Sequence, residues 1–204
     1  MHVAVVGATG NIGSRIVAEL QRRGGHQITA IARHPKSSEQ TPAVRWVAGD
    51  VTDPQPLSSV LRGHQAVISS IPYAPGYADK ILSVVRASGV KRYIAVGGAG
   101  SLEIAPGKLL KDSGQIPAEW MPAVNEASAL LTLLRQDKTL DWTFFSPAAL
   151  IGPGPRTGKF RLGTDQLIVG PDGKSSISYD DYVIALVDEL EKPQHLRRRF
   201  TIGY

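Results

Sequence analysis

The sequence predicts an α/β fold built around a parallel sheet, and three observations carry that expectation. The apolar run Val3-Ala4-Val5-Val6 passes without a spacer into Gly7-Ala8-Thr9-Gly10-Asn11-Ile12-Gly13. Ile12, Ile16, Val17 and Leu20 then recur at helical spacing. Further along, short β-branched runs alternate with helical patterns, as expected for parallel strands joined by crossover helices.

Each element has its own signal. The first helix spans about Asn11 to Arg23 and stops at Gly24-Gly25. Gln27–Ala32 and Val44–Ala48 read as the second and third strands. Asp53 before Pro54 marks a helix start, a cap residue followed by a proline in the first turn, and that helix ends at Gly63. Ala66–Ser70 is the fourth strand, Tyr77–Ala87 a helix closed by Gly89, and Arg92–Val96 the fifth strand. Regular alternation then breaks over Leu102–Pro117, a length of connection that more often serves function than not. A helix over about Ala118–Arg135 and a strand at Trp142–Phe145 restore the pattern. The Gly/Pro-rich stretch Pro147–Gly173 is expected to hold short strands near Phe160 and Leu167, before a helix over Tyr179–Leu190 and a closing strand at Arg199–Ile202. The expectation is a single domain over residues 1–204. It is a Rossmann-like doubly wound parallel sheet with helices on both faces and a small C-terminal substrate-side region.

Composition narrows the function classes. With 42% hydrophobic and 20% charged residues, the chain has ordinary globular composition. It has no cysteine, which removes disulfides, a thiolate nucleophile and Cys-based metal sites. The five histidines, His2, His26, His34, His64 and His195, are dispersed without metal-ligand spacing, so no metal is expected. No apolar stretch approaches the ~20 residues of a membrane span, and no signal segment precedes the first strand, so a cytoplasmic location is expected. The net charge is +5, but the basic residues are scattered and no nucleic-acid motif accompanies them. Neither a nucleic acid nor a membrane is an expected partner; a modest positive field instead suits a polyanionic dinucleotide.

The glycine-rich turn supplies the chemistry. Gly7 allows a tight exit from the strand, Gly10 lets backbone approach a pyrophosphate, and Gly13 lets the helix pack close to the sheet. The helix N-terminus then presents unpaired N–H groups and a partial positive charge to phosphate oxygens. Ligands of such sheets lie beyond the C-terminal strand ends. From those ends the coenzyme-binding candidates are Gly7, Thr9, Gly10, Asn11, Ile12, Gly13, Arg33, Asp50, Val51, Ser69, Ile71 and Pro72. An NAD site usually places an acid at the end of the second strand. This strand ends in Ala32-Arg33-His34-Pro35-Lys36, and Arg33 is suited to clamp a 2′-phosphate, so NADP(H) is expected in preference to NAD(H). Arg15 is a further candidate phosphate contact. Asp50-Val51 either contacts the adenine or simply closes a strand-end turn.

Three motifs, Gly7–Gly13, Gly49-Asp50-Val51-Thr52-Asp53-Pro54 and Val96-Gly97-Gly98-Ala99-Gly100-Ser101-Leu102, together resemble the atypical short-chain dehydrogenase/reductases. Asp141–Ala148 and Ser176–Tyr182 extend the likeness over nearly the whole chain. Within that superfamily the chain is similar to bacterial NAD(P)H-binding proteins of the NADH-flavin reductase-like group, relatives of biliverdin reductase B and of NmrA-like sensors. The resemblance implies an NAD(P)H-dependent reductase, with flavin as substrate rather than as a bound prosthetic group.

The chain departs from the wider superfamily at one point. Carbonyl-reducing members use a Tyr-x-x-x-Lys pair on the helix after the fifth strand, and here no Tyr has a Lys four residues on. Two function classes remain. One is hydride transfer to a flat conjugated small-molecule acceptor such as a flavin or quinone, which delocalises the incoming charge. The other is a non-catalytic redox sensor that binds the dinucleotide. Candidate catalytic residues by position are Ser101, Asn125 and Tyr73: Ser101 to hydrogen-bond the nicotinamide or acceptor unless it merely caps its loop, Asn125 in place of the missing lysine, and Tyr73 to cover the nicotinamide ribose or stack on the acceptor. Trp120 and Met121 are either an apolar wall for the acceptor or core, and Glu119 and Glu126 are either acids or solvated helix residues.

Overall fold

A computed structural model describes the backbone of residues 1–204 and every side chain except that of Ser37. The chain opens with strand β1 (His2–Val6), helix α1 (Asn11–Arg23), β2 (Gln27–Ala32) and β3 (Val44–Ala48). Next come α2 (Pro54–Leu61), β4 (Ala66–Ser69), α3 (Tyr77–Ser88) and β5 (Arg92–Val96). A hairpin of β6 (Glu103–Ala105) and β7 (Lys108–Leu109) precedes α4 (Met121–Gln136), β8 (Asp141–Ser146), β9 (Leu150–Gly152) and β10 (Arg161–Gly163). The chain closes with β11 (Ser176–Ser178), α5 (Tyr179–Glu191) and β12 (Arg198–Gly203).

Eight strands form one sheet in the order β10-β12-β8-β5-β4-β1-β2-β3. All its pairings are parallel except that of β10 with β12. From β1 the chain builds outward to β2 and β3, then returns to place β4 on the other side, so the order reverses between β1 and β4. The chain leaves the C-terminal ends of these two strands towards opposite faces, into α1 on one and α3 on the other, which opens a crevice there.

Strand alternation divides the buried side chains between two cores. Helices α1 and α5 pack together on one face over Phe145, Phe200 and Ile68, contributing Ile16, Leu20, Leu186 and Leu190. On the other face α2, α3 and α4 cover Val67, Tyr93 and Phe144 with Leu57, Ile81, Val85, Leu130 and Leu134. Under α5, His195, Phe200, Phe145 and Tyr182 form a continuous stack with ring centroids 3.9–4.2 Å apart. Such pairs stabilise by ~0.5–1.5 kcal/mol each beyond their buried area, and this stack ties β8 and β12 to α5.

Three irregular regions differ from the sequence pattern. Leu102–Pro117 is built rather than structureless: the β6–β7 hairpin is followed by a 3-10 turn at Leu110–Asp112. Glu103 N–H donates to Asp165 O and Leu167 N–H to Glu103 O, so this segment is pinned to the later loop. No strand forms at Leu167, where that pairing to the hairpin takes the backbone instead; the extra strands are β9 and β11, which pair in parallel beyond the end of β8. The helix expected from Ala118 starts as a 3-10 turn and becomes α4 only at Met121, with Pro122 in the first turn, where a missing N–H costs nothing.

Candidate functional site

The crevice at the strand ends is organised by the turn after β1. Gly7 adopts φ +85°, a left-handed conformation in which glycine alone is unstrained. It directs the N–H groups of Gly7 and Ala8 onto Ile31 O at 2.9 and 3.0 Å, fastening the turn to β2. Gly10 N–H donates back to Gly7 O, and Ser14 N–H to Gly10 O makes the first helical bond of α1. Among the described residues, the N–H groups of Thr9, Asn11, Ile12 and Gly13 have no acceptor. Among the described residues, no side chain caps this helix and no acid occupies its first turn. The glycines also leave no spare room: a Cβ on Gly7 would lie 2.1 Å from Ser70 O, and one on Gly13 2.1 Å from Gly7 O. An uncapped helix start held this close to the sheet fits a pyrophosphate, whose oxygens would take up the free N–H groups.

Directly beside it lies a cavity of about 440 Å³ lined by Gly7, Thr9, Gly10, Arg33, Asp50, Val51, Ile71 and Pro72, which joins eight of the twelve coenzyme candidates. Ala74 and Tyr77 also line it. Neither was flagged by the sequence, although Tyr77 opens the helix that leaves the switch-point strand. Asn11, Ile12 and Gly13 form the first turn of α1, with Ile12 half-buried against the α1/α5 core. Ser69, expected on the cleft, faces the core instead: β4 alternation puts it on the side of Val67, where its hydroxyl pairs with Tyr93 Oη at 2.8 Å. Asp50 closes the strand-end turn offered for it. Its Oδ1 accepts from Thr52 N–H at 2.8 Å, closing a turn, and it still lines the cavity. That bond, aided by the charges of Arg33 and Lys80, holds its carboxyl below the usual range, so it is an acceptor only. Arg15, a candidate for the phosphates, bridges helices: it donates to Asn11 O, lies 3.6 Å from Asp180 and stacks over Tyr179.

A second concavity lies beyond the end of β8, an open groove of about 480 Å³ formed by Trp120, Leu150, Ile151, Pro153, Pro155, Ile177 and Tyr204 among others. Trp120 and Leu150 are each 58% exposed, so Trp120 is a wall of the groove rather than core. Met121 is half-buried and does not line it.

The candidate catalytic side chains are not brought together. Ser101 accepts from Arg199 Nη1 at both its carbonyl (2.9 Å) and its hydroxyl (3.2 Å), beside the Arg199–Asp165 ion pair, and so belongs to a separate polar hollow. Tyr73 packs against the α3 core and donates its hydroxyl to Val96 O at 2.6 Å. Burial drives the Tyr73 phenol well above its ordinary value. Tyr182 donates in the same way to Phe145 O, so the two hydroxyls fix the ends of β5 and β8. Asn125 is exposed on α4 and makes no side-chain hydrogen bond among the described residues. Glu126, on the same helix, accepts from Ala78 N–H at 2.7 Å and thereby caps α3, while Glu119 is exposed. Asp181 does more than begin a helix: its buried carboxylate accepts from Thr157, Gly158 and Tyr204, anchoring the loop that borders the groove. Among the described residues no cluster of His, Asp or Glu could hold a metal, and no helix is long and apolar enough to cross a membrane.

Comparison with known proteins agrees with this geometry. A family profile described as NAD(P)H-binding matches residues 7–193. The chain is 41% identical to a solved Bacteroides thetaiotaomicron protein proposed to be an epimerase, with TM-score 0.94 over 100% of this chain and 96% of that one. It is 35% identical to a solved Streptococcus pneumoniae protein proposed to be an NADH-flavin reductase, with TM-score 0.86 over 100% and 99% of the two chains. An NAD(P)H azoreductase of Xenophilus azovorans is 25% identical over 98% of this chain and 67% of its own length. The profile begins at the glycine turn that follows β1 and takes in most of the lining of both concavities, and the chain belongs to the NAD(P)H-binding family.

Proposed function

We propose that the protein is an NADP(H)-dependent oxidoreductase that passes hydride to a flat conjugated acceptor such as a flavin or quinone. The observation that carries this reading is the pairing of two concavities on the C-terminal side of one sheet: a phosphate-ready crevice at the uncapped start of α1 and an apolar groove walled by Trp120. The NADH-flavin reductase and azoreductase descriptions of its relatives support the same class of chemistry.

The bound coenzyme supplies the hydride. The chain's own residues bind and orient. Free N–H groups of the glycine turn and first α1 turn hold the pyrophosphate, and Asp50 and Val51 border the adenosine. Both tyrosine hydroxyls near the strand ends are engaged with backbone carbonyls, and no lysine stands beside either at helical spacing. The acceptor therefore takes its proton from solvent, which a conjugated ring tolerates because the added charge is delocalised until protonation. A cytoplasmic location completes the reading, supported by a chain without cysteine.

Purified protein with NADPH and excess riboflavin or menadione is expected to oxidise the coenzyme well above the protein-free rate. Tight coenzyme binding without turnover on any flavin or quinone would replace this reading with that of a dinucleotide sensor. The NADP preference rests on Arg33, which lines the adenosine cavity with no acid at the end of β2. Arg33→Asp is expected to weaken NADPH by about 10–100-fold, the worth of a charge-assisted phosphate clamp, and NADH by less than threefold. Equal losses in titrations with the two coenzymes would remove the clamp.

A further inference from the structure

We infer that the Trp120 groove selects acceptors that are electrically neutral, quinone-type rings in preference to phosphorylated or sulfonated ones. This rests on the reductase reading above and names the substrate class of that site.

Among the described residues, the groove is lined by no charged side chain. Of the ionic groups nearest in sequence to its walls, Glu119 and Lys174 are exposed and do not line it, while Arg156 and Asp181 are committed elsewhere. Arg156, next to Pro155, holds the buried Glu19 with contacts of 2.9 and 3.1 Å. Asp181 is engaged by Thr157, Gly158 and Tyr204. The polar walls are largely saturated as well. Ser178 Oγ donates to Pro155 O and accepts from Asp181 N–H, while Tyr204 Oη donates to Asp181 and accepts from Ser178 N–H. A phosphate or sulfonate entering here would lose water and gain no counter-charge, which is unfavourable. A neutral fused ring loses little hydration and covers the exposed face of Trp120, where stacking rewards a flat π-system. In the balanced step, hydride from the dihydronicotinamide C4 adds to the quinone. The resulting hydroquinone anion takes one proton from solvent, giving NADP+ and hydroquinone.

Matched acceptors isolate the charge. Menadione and 1,4-naphthoquinone-2-sulfonate share a ring system, as do riboflavin and FMN. With protein-free rates subtracted, KM is expected to be at least tenfold lower for the neutral member of each pair. Equal or lower KM for the charged members overturns the inference. A binding arm needs no turnover: menadione should quench tryptophan fluorescence saturably, Trp120→Phe should remove most of that quench, and the sulfonate should bind at least tenfold more weakly. Equal binding of sulfonate and menadione overturns the inference, as does an undiminished quench in the variant. Coenzyme binding with no turnover of any acceptor would refute the reductase reading alone, and the fluorescence titrations would still decide the groove's selectivity.

Discussion

Gly13→Ala is expected to abolish measurable coenzyme binding and to lower the unfolding free energy by roughly 1–3 kcal/mol, the usual cost of overpacking a tight contact. Two effects oppose each other at this position. Gly13 is the third residue of α1, and alanine in a helix is favoured over glycine by about 1 kcal/mol. Against that gain, the new Cβ would sit 2.1 Å from Gly7 O, 2.9 Å from its carbonyl carbon and 3.2 Å from the Ala8 Cα. All three neighbours are backbone atoms of a turn already tied to Ile31 O, so no side chain can swing aside. The clash wins, α1 moves off the turn, and the four free N–H groups lose the alignment that a pyrophosphate needs. Gly24→Ala is the control. Nothing lies within 4 Å of its Cβ, but at φ +72° and ψ −179° it holds a conformation almost confined to glycine, so it should cost roughly 1–3 kcal/mol through backbone strain and leave the coenzyme dissociation constant unchanged. Urea unfolding and calorimetric titration with NADPH measure both effects. A Gly13→Ala protein that binds within twofold of the parent would show that the close approach is incidental.

What could be read in the sequence was what is local. The strand–turn–helix unit, the Asp53-Pro54 start, the helices closed by Gly24 and Gly89 and the run of parallel strands all rest on signals within a dozen residues. So does the crevice beside the glycine turn, because the chain leaves the neighbouring ends of β1 and β4 towards opposite faces of the sheet. Long-range commitments were not legible. Nothing near Ser101 announces that Arg199, almost a hundred residues on, will take its hydroxyl and carbonyl. Ser69 follows apolar neighbours in a strand end, and only its parity with Val67 turns it towards Tyr93. Glu126 reads as a solvated helix residue until the packing of α4 on α3 brings it to Ala78 N–H. Trp120 was legible as a choice between core and wall, and the 3-10 turn before α4 settles it by lifting the ring out of the helix register. The Pro147–Gly173 stretch carries too little periodicity to reveal that β9 finds its partner in β11, across more than twenty residues.

The same kind of hidden commitment makes Glu19 the residue most exposed to acid. It lies on α1 almost without solvent contact, where burial alone would raise its carboxyl. Hydrogen bonds from Arg22, Arg156 and Arg23 outweigh that burial and bring it from 4.5 down to about 2. Arg23 continues the network to Asp188 and Glu191, so the cluster joins α1, α5 and the loop carrying Arg156. The sign follows from linkage: a carboxyl whose folded value is depressed stabilises the fold fully above its unfolded value and progressively less as pH falls towards the folded one. The contribution should thus be complete above about pH 4.5 and lost by about pH 2, with a size of roughly 3 kcal/mol. Glu19→Gln keeps the shape and removes the charge. At pH 7 it is expected to be less stable than the parent by about 2–3 kcal/mol, because three guanidinium groups lose their shared counter-ion. Between pH 4.5 and 2 the two stability curves should converge. Asp137, also held near 2 where Leu140, Thr139 and Arg86 overcome its burial, keeps a residual slope in the variant. Chemical unfolding at a series of pH values tests this directly, and parallel curves for parent and variant over that interval would mean that the Glu19 cluster is neutral to the fold.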